Sequence, residues 1–223
     1  MTPKSIGIIM DGNRRWAKAK GLPTLEGHRR GYDKLKDVMG WAKTFGIDYV
    51  TVFAFSTENW NRTAEEVAYL MDLIRWILTT ELQVIKKEGY RVKIAGDIKR
   101  FSPELQVLMK KAEEETDKLP GPTIVLAVSY GGRAEILDAV NKAVKLGKEI
   151  DEKEFGSLLW TAGVPDPDLI IRTSGEMRLS GFLAWAGVYS ELFFTKTLWP
   201  DFSEEEFKEI IAEFSGRERR NGK

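Results

Sequence analysis

Six apolar runs of strand length, at about 5–10, 49–55, 91–96, 123–128, 168–171 and 191–195, punctuate this chain, and helical spacing fills most of the intervals between them. The runs are rich in β-branched and aromatic residues, which suit a pleated, buried surface. Helix starts are marked as well. Ser102-Pro103 reads as an N-cap followed by Pro at the first helical position, Thr63-x-x-Glu66 and Ser203-x-x-Glu206 read as capping boxes, and Asp151-x-x-Glu154 is a weaker version. Strand alternating with helix predicts an α/β fold: one mostly parallel six-stranded sheet flanked by helices on both faces. No internal repeat, low-complexity tract or linker interrupts the pattern, and Pro120-Gly121-Pro122 is a tight connection before a strand. Residues 1–223 are therefore read as a single domain, large enough to fold around its own core without staples.

Charge and cysteine content remove several classes of function. With 34 basic and 34 acidic residues the formal net charge is zero, so no whole-molecule field favours nucleic acid and any anion site must be local. The lack of cysteine excludes disulfides, thiolate metal sites and a Cys nucleophile, and fits a reducing compartment. The first apolar run is too short for a signal-peptide core, and no apolar segment approaches the roughly 20 residues that cross a membrane. A soluble, cytoplasmic protein is the expectation.

Ligands of open α/β sheets bind beyond the carboxyl ends of the strands. Five of the runs end in polar, Gly-bearing or hydroxyl-bearing segments: Asp11-Gly12-Asn13, Ser56 to Arg62, Gly96-Asp97, Ser129-Tyr130-Gly131-Gly132-Arg133 and Arg172 to Glu176. In the first of these, Asp11 suits a hard cation, the small residues let backbone N–H groups approach an anion, and Arg14 and Arg15 add forked donors for phosphate oxygens. A solvated turn at a strand end would use similar residues. In the loop from Arg172 to Gly181, two arginines six apart and several hydroxyls can cage a diphosphate, with Gly175 letting the chain fold around it; a surface ion-pair network built on Glu176 is the competing reading. With one anion site after the first strand and another after the fifth, two phosphorylated ligands can be held together. Neither GxxxxGK[ST] nor GxGxxG occurs, which argues against a P-loop or dinucleotide-binding enzyme.

MDGNRRWA at 10–17, GHRRG at 27–31, FSTENWNR at 55–62, YGGR at 130–133, IRTSGEMRLS at 171–180, YSELFFT at 189–195, LWPDF at 198–202 and RERRNG at 217–222, in this order, resemble the cis-prenyltransferase family, in particular its undecaprenyl diphosphate synthases. The DDxxD pattern of trans-prenyltransferases is absent. The resemblance implies a homodimeric α/β enzyme that condenses isopentenyl diphosphate onto an allylic prenyl diphosphate, farnesyl or geranylgeranyl, making a long-chain cis-polyprenyl diphosphate with Mg²⁺.

By that resemblance Asp11 is the central Mg²⁺ ligand, with Glu191 helping and reaching across the dimer interface. Gly12, Asn13, Arg14 and Arg15 cradle the allylic diphosphate. Arg172, Arg178 and Ser180 bind isopentenyl diphosphate, and Arg220-Asn221-Gly222 matches a tail that closes over the same site. Asn13, Ser56, Asn59 and Arg62 match positions implicated in loss of the proton from the new carbon chain; Asp11, Asn13 and Asn59 are thus the catalytic candidates, with diphosphate itself an alternative proton acceptor. His28, Trp16 and Trp60 match substrate-site positions, each with a structural role as the alternative. The apolar arc over 64–85 (Val67, Leu70, Met71, Ile74, Leu78) is read as one wall of a hydrophobic tunnel or as an ordinary core helix. Transient contact with a membrane surface would serve release of a lipid product.

Some positions depart from the family pattern. Arg14 replaces a frequent glycine, Thr24 stands where some members carry arginine, Ser129 where asparagine is usual, and Gly181 and Ala186 where LSNFLLWQ has asparagine and glutamine. Two other functions fit the same rim: a non-catalytic scaffold subunit of a heteromeric prenyltransferase, which loss of the first-loop aspartate would mark, and a metal-dependent phosphate-ester hydrolase.

Overall fold

The computed structural model describes residues 2–217. Its strands β1 (Ser5–Ile9), β2 (Tyr49–Ser56), β3 (Arg91–Ala95), β4 (Thr123–Tyr130), β5 (Leu169–Arg172) and β6 (Glu191–Phe194) fall on the six apolar runs. They form one sheet in the order β3-β4-β2-β1-β5-β6, and every pairing is parallel. From β1 the chain passes to its neighbour β2; from β5 it passes to β6 on the opposite side. The direction of winding thus reverses between β1 and β5, where a crevice opens at the carboxyl ends of the strands.

Helices α1 (Asn13–Ala19), α2 (Thr24–Thr44), α3 (Ala64–Trp76), α4 (Leu82–Glu88), α5 (Pro103–Thr116), α6 (Gly132–Leu146), α7 (Glu152–Gly156) and α8 (Glu204–Gly216) connect and flank the strands. The expected caps are in place: Thr63, Ser102, Asp151 and Ser203 each accept the backbone N–H three residues on, satisfying donors that a helix start leaves open. Period-two alternation sorts the strand residues between two cores. Ile6 and Ile8 of β1, Val50 and Val52 of β2, and Leu169 and Ile171 of β5 join the larger one, with Trp199, Phe202, Phe207 and Phe214. Ile9 and Ile170 face a smaller one built on Tyr130, Phe182 and Leu183.

Two glycines of the GHRRG motif bring α2 onto the start of α1. A Cβ at Gly27 would lie 2.1 Å from the Asn13 carbonyl oxygen, and one at Gly31 would lie 2.4 Å from Asn13 Oδ1. Four residues apart, they share one helix face; a larger residue at Gly27 meets backbone, and one at Gly31 must displace the Asn13 side chain. The LWPDF motif pins the same loop from the other side. Trp199 donates its backbone N–H to Asp11 O at 3.1 Å and its indole N–H to Gly31 O at 2.8 Å, while Leu198 packs on Gly12, whose φ of +109° suits glycine.

The segment read as one apolar helix over 64–85 is divided. Ile77–Glu81 forms a π-helical turn between α3 and α4. Within it the Thr79 hydroxyl donates back to Arg75 O at 2.8 Å, a local bond that competes with the regular ladder and bends helices. Among the described residues no helix is long and apolar enough to cross a membrane.

Candidate active site

Asp11 leaves the carboxyl end of β1 and Arg172 ends β5, so the crevice between those strands brings them together. Arg172 Nη2 donates to Asp11 Oδ2 at 2.8 Å, and Arg15 Nη2 lies 3.3 Å from Asp11 Oδ1. Burial of Asp11 would raise its pKa, but hydrogen bonds from Arg172 and Ser174 and the charges of Arg172 and Arg15 outweigh that, and the carboxyl sits below the ordinary aspartate range. Arg172, only 5 % exposed, also donates through Nη1 to Ser180 Oγ at 2.9 Å and to the Arg178 carbonyl. Its guanidinium therefore shapes the loop that carries Arg178 and Ser180. Ser174 and Ser180 both adopt positive φ, 81° and 51°, a left-handed conformation rare in non-glycine residues and concentrated at functional sites. The ion-pair network expected at Glu176 is present, to Arg178 and to Arg15.

A second charged cluster lies on the other side of Asp11. Glu66, 8 % exposed, accepts Arg62 Nη1 at 2.7 Å, and lies 3.5 Å from His28 Nε2 and 3.7 Å from Arg14 Nη1. Arg62, His28 and Arg14 are separate candidates in the sequence, where Glu66 stands only as a capping residue. Its backbone N–H does bond Thr63, but its side chain turns to Arg62. The i,i+4 spacing of Arg62 and Glu66 was the available signal. Burial and the Arg62 charge lower the His28 pKa, Glu66 pulling the other way, so the imidazole is neutral near pH 7.

Two polar cavities meet at these residues. One, about 760 Å³, is lined by Asp11, Ser56, Asn59, Arg62, Arg172 and Ser180. The other, about 550 Å³, is lined by the first loop from Asp11 to Arg15 together with Thr24, His28 and Arg62. Asp11 and Arg62 border both. At Asn13 and His28 the second adjoins an apolar cavity walled by Leu70, Ile74 and Leu78 from the α3 region. Asn13 Oδ1 is buried there without a hydrogen-bond partner, a cost usually tolerated where function requires it. Asn59 Oδ1 accepts the Ser56 backbone N–H at 3.1 Å, which fixes both residues on the cavity wall.

Four expected site residues line neither polar cavity, and one of them, Arg178, has a side chain 60% exposed and paired with Glu176. Trp16 lines neither polar cavity and gives its indole N–H to Asp201 at 2.7 Å. Trp60 packs edge-on against Phe55 and Phe101 and donates to Ser129 Oγ at 3.0 Å. Both therefore have the packing or hydrogen-bond partners that a structural role asks for. Glu191 opens β6 and pairs with Leu169, whereas Ile9 and Arg172 lie level with Phe194; it sits about 10 Å of strand toward the opposite rim, bound to Arg217 at 2.6 Å. Within one chain Glu191 and Asp11 stand at different levels of the sheet, so the expected second ligand is one that reaches across a dimer interface. The tail Arg220-Asn221-Gly222 lies outside the described residues. Two of the family departures occupy left-handed backbone: Ser129 at φ 46° and Gly181 at φ 78°. Asparagine and glycine are at ease there, so glycine replaces asparagine at 181 without strain.

Among the described residues no group of three or more His, Cys, Asp or Glu side chains could hold a metal. Mg²⁺ asks for less, since one or two carboxylates suffice when phosphates and water complete its shell, and Asp11 between two arginine-bearing loops fits that requirement.

Comparison with known proteins agrees with this geometry. Residues 9–222 match the family model described as "Putative undecaprenyl diphosphate synthase". The isoprenyl transferase of Thermotoga maritima is 48% identical over 99% of this chain and 97% of its own length, and that of Aquifex pyrophilus is 49% identical over 99% and 96%. A crystal structure of lavandulyl diphosphate synthase from Lavandula x intermedia, in complex with dimethylallyl diphosphate, superposes with a TM-score of 0.93 at 35% identity, covering 100% of this chain and 99% of that one. A probable undecaprenyl diphosphate synthase from Campylobacter jejuni does so with 0.85 at 31%, covering 100% of both. Extending over nearly the whole chain and including the loops that build the Asp11–Arg172 crevice, these likenesses show that the chain belongs to the undecaprenyl diphosphate synthase family of prenyltransferases.

Proposed function

We propose that the protein elongates an allylic diphosphate, farnesyl or geranylgeranyl, with isopentenyl diphosphate to give a long-chain cis-polyprenyl diphosphate. One observation carries this reading: two cation-lined cavities meet at Asp11, and one of them adjoins an apolar cavity. The allylic diphosphate takes the cavity of the first loop, with Gly12, Asn13, Arg14 and Arg15 around its phosphates and its hydrocarbon directed past Asn13 and His28. Isopentenyl diphosphate takes the other, held by Arg172, Arg178 and Ser180.

The chemistry asks this of the chain. As the allylic C–O bond breaks, negative charge grows on the departing diphosphate, and preorganised arginines and backbone N–H groups stabilise it without reorganisation. The Asp11–Arg172 pair keeps both charges at the meeting point before ligands arrive. Asp11 would hold Mg²⁺, which supplies Lewis-acid stabilisation of the phosphate charge. Asn13, Ser56, Asn59 and Arg62 surround the place where the new cation loses its proton, with the diphosphate as a further acceptor.

A homodimer in the cytoplasm, touching a membrane surface to release product, completes the reading. Val188, Tyr189 and Leu192 expose apolar surface at edge strand β6, as do Leu137, Val140 and Val144 along α6, and a second copy covering this side would bring Glu191 of one chain toward the site of the other. The test is incubation with farnesyl or geranylgeranyl diphosphate, labelled isopentenyl diphosphate and Mg²⁺, followed by chain-length analysis of extracted lipid. Labelled long-chain product that disappears with chelator is expected. Folded protein giving no product with either starter would overturn the proposal in favour of a scaffold subunit, and diphosphate release without isopentenyl diphosphate would favour a hydrolase.

A further inference from the structure

The geometry points to Tyr32 as the residue that decides how far a growing prenyl chain extends, an inference that rests on the elongation reading above. Behind Asn13 and His28 the apolar cavity has about 90 Å³, and a second apolar cavity of about 320 Å³ lies beyond it toward Tyr90. Tyr32, Leu35, Ile77 and Leu126 line both, so they form the wall between them. The nearer space is far below the roughly 300–1,000 Å³ of ordinary ligand pockets. A chain that lengthens by successive five-carbon units must displace this wall or stop at it.

Tyr32 is the member of that wall held by polar bonds. It is 7 % exposed, and its hydroxyl donates to Glu81 Oε2 at 3.0 Å. Lys36 Nζ lies 3.5 Å from the same oxygen and 5.1 Å from the Tyr32 ring centroid. The ring meets Trp76 edge-on at 5.2 Å, and the Arg29 guanidinium lies 3.7 Å from the Trp76 ring centroid. Burial and the Glu81 carboxylate push the Tyr32 pKa up, so the hydroxyl stays a donor at any physiological pH. Glu81 and Ile77 belong to the same π-helical turn, Ile77–Glu81, a geometry frequent at functional sites. The Tyr32–Glu81 bond therefore ties α2 to the turn that carries the opposing side of the wall. Leu35 and Leu126 are aliphatic and can only pack, so the tyrosine sets the resistance a lengthening chain meets.

The test compares lipid products of wild type, Tyr32→Ala and Tyr32→Leu under identical substrate ratios, with folding checked by circular dichroism and the rate of the first condensation measured separately. Tyr32→Leu retains apolar contact and leaves Glu81 with Lys36, so it folds even if the alanine variant does not. The expected result is a shift of the dominant product toward longer chains, by about two isoprene units or more for alanine and at least one for leucine. Unchanged or shorter products from folded Tyr32→Leu overturn the inference. Loss of the first condensation in that variant also overturns it, because Tyr32 would then act on the reacting site. Wild type that makes no elongated product overturns the elongation reading, and this inference with it.

Discussion

Asp11 and Arg172 stand 161 residues apart in the chain and 2.8 Å apart in space, joined across the β1–β5 crevice. Each depends on the other. Arg172 is almost wholly buried, so without Asp11 its charge loses its nearest compensation; without Arg172, Asp11 loses the foremost of the interactions that hold its pKa down, leaving Ser174 and Arg15. Replacing Asp11 by Asn keeps an acceptor for Arg172 but removes the anion. Condensation is expected to fall by about 10²–10³-fold or more, the scale of a lost electrostatic contact in a transition state, with a melting temperature within a few degrees of wild type. Near wild-type turnover at saturating Mg²⁺ would remove Asp11 from the metal site.

Arg178 and Arg172 share a loop and differ in what they hold. The Arg178 side chain is 60% exposed and paired with Glu176 on the surface, so its loss changes stability by no more than about 0.5 kcal/mol. Arg178→Ala should raise the KM for isopentenyl diphosphate about ten-fold and leave the KM for the allylic substrate alone. Arg172→Ala should lower both stability and kcat, because it breaks a buried pair and releases Ser180 and the Arg178 carbonyl together. Steady-state kinetics with each substrate varied in turn, beside thermal melts, separates the two cases.

Three glycines of α2 make a packing test. Ala at Gly27 meets a backbone carbonyl at 2.1 Å, and Ala at Gly31 meets the Asn13 amide at 2.4 Å, whereas Gly40 has nothing within 4 Å. Gly27→Ala is expected to cost about 1–3 kcal/mol or more through overpacking, with Gly31→Ala less costly because a side-chain amide can yield. Gly40→Ala should stabilise by about 0.5–1 kcal/mol, since alanine loses less freedom in a helix interior. Chemical denaturation of the three variants gives the order, and equal effects at all three would refute the close approach of α1 and α2.

The chain contains one histidine, so its titration is read without overlap. The His28 pKa is lowered from 6.5, first by burial, then by the Arg62 charge. In unfolded chain the imidazole takes up a proton near pH 6.5; in the fold it resists until lower pH. Between those values the unfolded state binds more protons, so the contribution of His28 to stability is complete above pH 6.5 and is lost as pH falls through the folded pKa. The slope is at most about 1.4 kcal/mol per pH unit. Wild type should lose more stability than His28→Gln on going from pH 7 to about pH 5, and an imidazole resonance with its midpoint at or above 6.5 would contradict the burial argument.

Strands, helix caps and the rim of the sheet were readable because each is local: period two, a capping hydroxyl, the polar residue after a run. The first-loop arginines and the Arg172 loop were readable for the same reason. Glu66 was not, because its meaning depends on α3 bringing it to Arg14 and His28, which belong to α1 and α2. The π-helical turn at Ile77–Glu81 was hidden by an apolar spacing that continues through it. That Glu191 and Asp11 lie at different levels of the sheet within one chain is held in the order of the chain. In a parallel sheet the first residue of a strand lies at the rim opposite the residue that follows another strand.

Glu66 offers the most discriminating variant because its neighbours report on it. It lies 3.7 Å or less from Arg62, His28 and Arg14 while nearly buried. Gln at this position keeps the shape and one acceptor but leaves a cluster of positive charge without its anion. The Arg62 side chain is 26% exposed and that of Arg14 58%, so water compensates part of the loss, and a destabilisation of about 1–3 kcal/mol is expected, below the roughly 3–5 kcal/mol of a fully buried pair. With Arg62 and His28 less firmly placed, the KM for the allylic diphosphate should rise by about ten-fold. The sign at His28 is the decisive part. Glu66 raises the imidazole pKa, whereas Arg62 and Arg14 lower it, so removing the carboxylate must move the His28 midpoint further down. An NMR titration of Glu66→Gln in which that midpoint is unmoved or moves up would mean that Glu66 does not organise the first-loop cavity.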